Sequence, residues 1–288
     1  MNERRSNFEL LRVVCMLFIV AGHIIAAHGS EKNFSNSDWL IDMTLRGFFS
    51  VAVNAFILIS GYWSIKLRQE RLLKLEFQIL FYSIGLFLLM SLLGVHPLSP
   101  INDFKFFLPS TCNLYWFMTN YVILCLLSPF FNQFVNSMSR IQFRNLLIIA
   151  FVIVYVWPTF CFLVNANQFI GDSGYGIINF SYLYLLGRYL RVYYDIRRSA
   201  IFYLCGFVAS CALLSICQLG LSYLLGFEFT SFYSYNSVFM LIGALMLFLA
   251  FSRMIFSSAI INKLAAPCLS VYLIHQHPLV FNWGGAIF

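Results

Sequence analysis

Charged residues are scarce in this chain of 288 residues: Asp, Glu, Lys and Arg make up 10% of it, where a soluble domain carries about a quarter. Hydrophobic residues make up 61%, and the mean hydropathy is +0.81. No soluble core of this size hides that much apolar surface, so lipid must cover much of it. The composition excludes a soluble nucleic-acid-binding domain and indicates an integral membrane protein.

The short motifs of soluble catalysis are also missing. The chain has no HExxH zinc motif, no GxSxG turn, no P-loop and no dinucleotide-binding glycine pattern. Its eight cysteines show no metal-binding spacing, and all but Cys112 lie within or at the edges of apolar stretches. We therefore expect no metal site and no disulfide framework. No cleavage pattern follows the first apolar stretch, which we interpret as a retained helix.

Apolar stretches of membrane-spanning length are abundant. A bilayer core of ~30 Å needs about 20 apolar residues in a helix, and open sheets leave backbone groups unsatisfied in lipid. We predict an all-α fold, a polytopic transmembrane helix bundle that forms one domain over residues 1–288. The nine predicted spans are 8–27, 48–65, 75–95, 114–134, 146–164, 174–190, 201–225, 237–256 and 267–287.

The connections between these spans alternate in their content of Lys and Arg. Fourteen of these cations fall on one side, three (Lys32, Arg46 and Lys105) fall on the other, and Arg12 lies within the first span. By the positive-inside rule the N-terminus is cytoplasmic, and nine spans place the C-terminus outside. The fourteen are Arg4, Arg5, Lys66, Arg68, Arg71, Lys74, Arg140, Arg144, Arg188, Arg191, Arg197, Arg198, Arg253 and Lys263.

Ionisable side chains within spans are candidate functional residues because lipid makes them costly. Arg12 and His23 are eleven residues apart, close to three helical turns, so both lie on one face about 16 Å apart, and Glu9 joins that face. Arg12 alternatively snorkels to the cytoplasmic surface. His23 lies too deep for that, and its alternative is a structural, hydrogen-bonded histidine. Imidazole is the usual general base near neutral pH.

The second span and the connection after it hold further candidates. Asn54 lies in mid-span and needs a hydrogen-bond partner, and Ser60-Gly61 allows close approach of another backbone. Arg71 and Lys74 are three residues apart and on a helix face the same way, as a phosphate-binding pair would. Close packing explains Ser60-Gly61 equally well, and positive-inside placement explains the cations.

One aromatic pair and one pair of histidines lie further along the chain. Tyr115-Trp116 opens the fourth span, where an interfacial aromatic belt is the simpler interpretation. His275 and His277 stand beside Pro278 in the ninth span and point in different directions on a regular helix. A helix broken at the proline would present both to one cavity.

In their order along the chain these residues resemble the membrane-bound acyltransferase family 3. Asn7-Phe8-Glu9-Leu10-Leu11-Arg12 with His23 is similar to the family's opening signature of an Arg, ten residues and a His. The aromatic segment ending at Ser60-Gly61 and the pair Arg71 and Lys74 resemble its next two motifs, with Lys in the second place of Arg-x-x-Arg. Further similar landmarks are Tyr115-Trp116-Phe117, residues 186–191 and residues 271–275.

The resemblance implies an O-acyltransferase, often of capsule or exopolysaccharide synthesis, in the bacterial cytoplasmic membrane. It implies acetyl-CoA or another acyl-CoA as co-substrate, with no permanently bound cofactor, and His23 as the catalytic residue. Arg12, Arg71 and Lys74 would handle the acyl-CoA. Implied partners are membrane lipid, a carbohydrate acceptor, free or polyprenyl-linked, and glycan-synthesis proteins, but no nucleic acid. The candidate site-lining residues are Glu9, Asn54, Ser60, Gly61, Tyr115, Trp116, His275 and His277.

The chain departs from the family in two respects. Members commonly have ten or more helices, so we expect a tenth helix to be missing at the C-terminus, and Asn54 stands where many members have an Asp.

Two alternative functions are open: a transporter or flippase of a lipid-linked glycan, and a truncated inactive relative that acts as a scaffold. No inverted repeat of the transporter kind is present, and a flippase has no need of the basic connection beside Ser60-Gly61.

Overall fold

The computed structural model describes residues 6–28, 37–168 and 170–287, and every regular element in those ranges is helical. The predicted all-α class is therefore confirmed. The α-helices are α1 Ser6–His28, α2 Ser37–Phe49, α3 Ala52–Trp63, α4 Gln69–Leu92, α5 Pro100–Asp103, α6 Trp116–Ser137, α7 Arg140–Phe151, α8 Trp157–Leu163, α9 Ile177–Tyr193, α10 Ala200–Leu225, α11 Val238–Arg253, α12 Ala259–Ala265, α13 Cys268–His275 and α14 Pro278–Ile287. A π-helical turn, Val152–Val156, joins α7 to α8, and Phe104–Phe106 and Ser231–Tyr233 form 3-10 turns.

Six helical segments in these described ranges are long and apolar enough to cross a membrane, so the predicted polytopic bundle is confirmed. They are Ser6–Ile25, Ser37–Trp63, Gln69–Leu92, Trp116–Ser137, Arg140–Leu163 and Ala200–Leu225. The segments Val238–Arg253 and Ala259–His275 are shorter apolar helices. Each of the nine predicted spans overlaps helical residues, and α9, which begins at Ile177, overlaps the sixth.

The second predicted span begins too late in the sequence. Helical structure starts eleven residues earlier, at Ser37, and reaches Trp63 through α2 and α3. Charged residues in α2 dilute its hydropathy, which is why the apolar pattern alone misses it. One face of α2 is nevertheless buried: a Cβ at Gly47 would lie 2.7 Å from the Ser215 hydroxyl of α10, so the two helices touch closely.

The ninth predicted span is two helices rather than one. Helix α13 ends at His275, and α14 begins at Pro278. Proline has no amide hydrogen and is tolerated at the start of a helix but not inside it, so the break predicted at this proline is confirmed. Pro267 likewise separates α12 from α13.

Helix α3 lies at the centre of the bundle, packed against α1, α9 and α11. Its crossing with α9 is very close, because a Cβ at Gly61 would lie 2.2 Å from the Tyr184 carbonyl oxygen. A Cβ at Gly187 would lie 2.6 Å from the Leu58 carbonyl oxygen. Only glycine fits at these two positions, in keeping with the close approach predicted for Ser60-Gly61.

The connections rich in Lys and Arg gather at one end of the bundle, which we call the basic end. The Arg191 guanidinium donates to the Tyr62 hydroxyl (3.2 Å) at the end of α3. The Arg253 guanidinium donates to the Ile196 carbonyl (3.1 Å), which ties the end of α11 to the connection before α10. These two contacts bring the cationic ends of α9 and α11 next to the end of α3 and to the connection before α10.

The segment before α6 turns back into the bundle along α4. The Ser83 hydroxyl donates to the Phe106 carbonyl (2.8 Å), and the Ser110 hydroxyl donates to Glu76 (2.7 Å). Helix α6 therefore begins beside α4, within the bundle. Tyr115 is only 1% exposed there, so the interfacial aromatic belt is not what the structure shows for this residue.

Candidate active site

Three adjoining cavities run through the bundle from the basic end to the opposite end. We call them the basic-end cavity (about 480 Å³), the middle cavity (about 310 Å³) and the opposite-end cavity (about 420 Å³). The first two share Arg12, Ser60, Leu75 and Tyr121 in their linings. The middle and opposite-end cavities share Ile19, His23, Val53 and Tyr235. Arg12 and His23, predicted on one face of α1, thus mark the two ends of the middle cavity.

The basic-end cavity is lined by cations from the connection between α3 and α4 and from the first turn of α4. Lys66, Arg68 and Arg71 line it, and all three are exposed. Lys74 lies one turn after Arg71 on α4 and is exposed, but it is not among the residues that line the cavity. Three like charges around one opening favour an anionic ligand.

Arg12 is held in place by a carboxylate one turn before it. Its guanidinium lies 2.8 Å from Glu9, whose side chain is 8% exposed against 36% for Arg12. Glu9 does not line the three cavities, and its contact limits the positions that the Arg12 side chain can take. A guanidinium fixed in this way presents its remaining donors toward the cavities, where a carbonyl or phosphate oxygen would accept them.

The middle cavity is mainly apolar and aromatic. Its wall includes Trp116, Phe117, Tyr121 and Tyr272, and the Ser60 hydroxyl, which donates to the Phe56 carbonyl (3.2 Å). Among the predicted lining residues, Ser60 and Trp116 are therefore in place. Gly61 and Tyr115 stand behind the wall: Gly61 serves the helix crossing, and Tyr115 packs on Tyr272 with ring centroids 6.3 Å apart.

His23 lies where the middle and opposite-end cavities meet, and a second histidine contacts it. The Nδ1 atom of His23 is 2.8 Å from Nε2 of His275 at the end of α13. The side-chain amide of Gln276 lies 2.6 Å from the same Nδ1 atom. Sequence reasoning includes His275 among the candidates but misses Gln276, whose one signal is its position between two histidines.

The structure brings only one of the two C-terminal histidines to this site. His277 is fully buried, its Nε2 atom lies 3.2 Å from the Ser83 carbonyl, and its ring stacks on Phe106 at 5.3 Å. The helix break therefore does not present both histidines to one cavity. His277 instead ties the start of α14 to α4.

The opposite-end cavity is lined by hydroxyl groups and aromatic rings. The ring of Tyr175 contacts those of Trp116 and Tyr235, with centroids 4.5 and 4.8 Å away, and the rings of Trp116 and Tyr235 also contact each other (5.5 Å). Arg46 forms an ion pair with Glu228 (3.3 Å) at this cavity. The other polar lining residues are Ser50, Ser173, Thr230, Tyr233 and Ser234. No sequence signal singled these residues out, because they come from separate short connections and carry almost no charge.

Asn54 lies behind this cavity and supports its wall. Its Nδ2 atom donates to the Tyr235 carbonyl (2.8 Å), and its Oδ1 atom accepts from Asn179 (3.4 Å). Asn54 is fully buried and does not line the three cavities. An aspartate here would place a carboxylate against the Tyr235 carbonyl oxygen, so in this chain the amide is what the local structure requires.

Residues 5–288 match a family model described as an acyltransferase domain, that of acyltransferase family 3. The chain belongs to acyltransferase family 3. No curated protein and no solved structure matches the chain. Membership indicates an acyltransferase and suggests a carbohydrate-type acceptor in general, and the apolar helices with the family suggest a multi-pass membrane protein.

Proposed function

We propose that this acyltransferase moves an acyl group, most simply acetyl, from acyl-CoA at the basic end to a carbohydrate hydroxyl at the opposite end. The observation that carries the proposal is the position of His23. It lies at the junction between a path that begins among cations and a cavity lined by aromatic rings and hydroxyls. The basic end would face the cytoplasm, on the count of fourteen cations against three.

The donor half of the path suits coenzyme A. Lys66, Arg68 and Arg71 would bind its phosphates, because clustered cations favour phosphate and Arg can do so through two parallel hydrogen bonds. The largely apolar middle cavity would take the pantetheine arm, which is long and thin. Arg12, oriented by Glu9, would stand at the entry to that cavity. This arrangement delivers the thioester to His23.

The acceptor half suits a sugar. The aromatic rings of Tyr175 and Tyr235, with Trp116 where the middle cavity adjoins them, offer apolar surface to a sugar ring, and the surrounding hydroxyls offer hydrogen bonds to its own hydroxyls. A polyprenyl-linked sugar would reach the cavity from the lipid, and a longer glycan from outside the cell. The glycan-synthesis proteins that supply such acceptors are the partners we expect, in the bacterial plasma membrane.

At the junction the chemistry is base-assisted acyl transfer. His23 takes the proton of the acceptor hydroxyl as its oxygen attacks the thioester carbonyl carbon, and a C–O bond forms. The C–S bond then breaks, and the coenzyme A thiolate takes the proton from the imidazolium. The products are an ester and free coenzyme A, and His23 returns to its neutral form. No metal or other cofactor enters these steps.

The test is acetyl transfer by the purified protein in lipid nanodiscs, with radiolabelled acetyl-CoA and a carbohydrate extract of the host membranes. The measured product is alkali-labile acetate in the carbohydrate fraction. We expect His23→Gln to lower turnover about 10²–10⁴-fold, the usual worth of general-base catalysis, while acetyl-CoA still binds. The matched control is His96→Gln, since His96 pairs with Asp103 (2.7 Å) in the connection after α4.

Near-native turnover in His23→Gln would overturn the assignment of the base. A wild-type protein that transfers no label but moves lipid-linked glycan across vesicles would support the flippase alternative. A flippase requires no base, so His23→Gln would then leave transport intact.

A further inference from the structure

The proposed function needs a base, and His23 offers two nitrogens that are not equivalent. If that function holds, one of the two nitrogens acts as the base, and a neighbouring residue selects it. Neutral imidazole carries one proton, so one ring nitrogen donates a hydrogen bond and the other accepts. The partner of the donor nitrogen fixes the tautomer and therefore decides which lone pair faces the substrate.

The hydrogen bonds of His275 decide its own tautomer first. Its Nδ1 atom is 3.1 Å from the Val271 carbonyl oxygen one turn earlier in α13. A carbonyl oxygen only accepts, so Nδ1 of His275 must carry the proton. Neutral His275 then has a lone pair on Nε2, the atom that lies 2.8 Å from Nδ1 of His23.

The tautomer of His275 determines the tautomer of His23. Two lone pairs facing each other at 2.8 Å would repel, so Nδ1 of His23 carries the proton and donates to Nε2 of His275. Gln276 is consistent with this arrangement when its amide oxygen is turned toward Nδ1 of His23, 2.6 Å away, as a second acceptor. The Nε2 atom of His23 then keeps the lone pair, and the Gln276 amide, 3.4 Å from it, lies much farther away than from Nδ1.

We propose that His275 is a positioning residue, which holds His23 in the Nδ1–H tautomer and leaves Nε2 to take the proton from the acceptor. His275 does not line the three cavities, whereas His23 lines two of them, so substrate meets His23 alone. Once Nε2 is protonated, the Nδ1–H bond to His275 becomes charge-assisted and stabilises the imidazolium. The proton then leaves from Nε2 to the thiolate, and His275 changes neither its charge nor its proton count.

A packing role for His275 is the competing explanation. Its ring also lies 6.0 Å from Tyr272, edge to face, so a ring of similar size would fill the same space. Phenylalanine keeps the ring and removes the acceptor, whereas glutamine removes the ring and keeps an acceptor oxygen at similar reach. The two substitutions therefore separate packing from hydrogen bonding.

The experiment measures kcat and KM of wild type, His275→Phe and His275→Gln in the labelled acetyl transfer assay. We expect His275→Phe to lower kcat about 10- to 100-fold, as loss of an orienting partner does for metal-bound histidines, with little change in KM for acetyl-CoA. His275→Gln should recover most of that loss. Full activity in His275→Phe would overturn the proposal, and so would a His275→Gln protein as slow as His275→Phe.

A spectroscopic measurement on the unaltered protein covers the case in which His275→Phe does not fold. Nitrogen NMR of ¹⁵N-histidine-labelled protein in bilayers distinguishes protonated from unprotonated ring nitrogens, and His23→Gln identifies the His23 signals. We expect the proton of His23 on Nδ1, and a proton on Nε2 would overturn the proposal.

The two proposals fail in different ways. An inactive His23→Gln protein beside a fully active His275→Phe protein refutes the positioning role alone. A wild type that transfers no acetyl group to any carbohydrate refutes the proposed function and, with it, the need for an oriented base.

Discussion

The basic-end and opposite-end cavities adjoin the same middle cavity but are lined by residues of different chemistry. Besides Arg12, the basic-end cavity takes its cations from one short stretch, in which Lys66, Arg68 and Arg71 lie within six residues of sequence. The opposite-end cavity draws on α1, α2, α3 and two connections, and its one cation, Arg46, is paired with Glu228. One end is organised by charge, and the other by aromatic rings and neutral hydrogen bonds.

This difference suits two ligands of different chemistry. Unpaired charge near an opening attracts an anion over a distance and holds it without demanding exact geometry. Neutral hydroxyls and rings act only at contact, so they discriminate by shape and by the positions of hydroxyl groups. A donor shared by many enzymes, such as acetyl-CoA, needs the first kind of site, and a particular acceptor needs the second. Substitutions at one end, compared with matched substitutions at the other, test this difference.

The largest expected effect is all-or-none and concerns the side of the membrane that each end faces. We compare Asn102→Cys, in the opposite-end connection after α4, with Gln69→Cys at the basic end, both at exposed positions. The background replaces the exposed Cys112 and Cys205 with Ser. An impermeant maleimide added to intact cells should label Asn102→Cys and spare Gln69→Cys until the cells are opened. The reverse pattern would invert the assignment of donor and acceptor ends.

Much of the fold and of the basic end can be predicted from the sequence, because both depend on residues that are neighbours in the chain. Membrane-spanning helices need about 20 apolar neighbours, and the positive-inside rule is a property of short connections. Arg12 and His23 are predicted on one face by helix geometry alone, and the structure places them at the two ends of one cavity. The sequence does not predict helix α2, because charged residues lower its hydropathy and one of its faces is buried only by tertiary packing.

The opposite-end cavity could not be predicted in the same way. Tyr175 and Tyr235 are sixty residues apart, and they meet because the Tyr235 amide donates to the Ser173 carbonyl (3.0 Å) between two connections. Nothing in either connection marks its tyrosine as a lining residue. His275 and His277 pose the same difficulty, since the turn between α13 and α14 sends one toward His23 and the other toward Ser83.

The next effect in size is specific to the donor. Arg71→Ala should raise KM for acetyl-CoA about tenfold, since it removes charged hydrogen bonds to phosphate, each worth about 1.5–3 kcal/mol before screening at this exposed site. Arg71→Lys should be intermediate because it keeps the charge without the planar fork. The matched control is Lys74→Ala, one turn along α4, which should stay within about twofold of wild type because Lys74 does not line the cavity. Equal losses in the two alanine variants would favour a diffuse surface charge over a phosphate site.

The smallest expected effect is specific to the acceptor and concerns Tyr175. Its ring lies 4.5 Å from that of Trp116 and lines the opposite-end cavity, where we expect it to lie against the face of a sugar. A well-placed aromatic contact is worth about 0.5–1.5 kcal/mol, so Tyr175→Ala should raise KM for the carbohydrate extract roughly 2- to 12-fold. Because the proposed donor path begins at the other end, we expect KM for acetyl-CoA not to change.

Tyr194 is the matched control for this last substitution, since its side chain is exposed to the same extent, 45%, but lies at the basic end, where α9 finishes. Tyr194→Ala should leave KM for the carbohydrate extract at the wild-type value. A rise in KM for acetyl-CoA in Tyr175→Ala would show that the donor reaches past His23 into the opposite-end cavity. The proposal that the two ends bind different ligands would then be wrong, because one ligand would occupy both. A rise in KM for the carbohydrate extract alone would place the sugar beside the Trp116, Tyr175 and Tyr235 rings. The sugar hydroxyl would then lie next to the Nε2 atom of His23, which takes the hydroxyl proton.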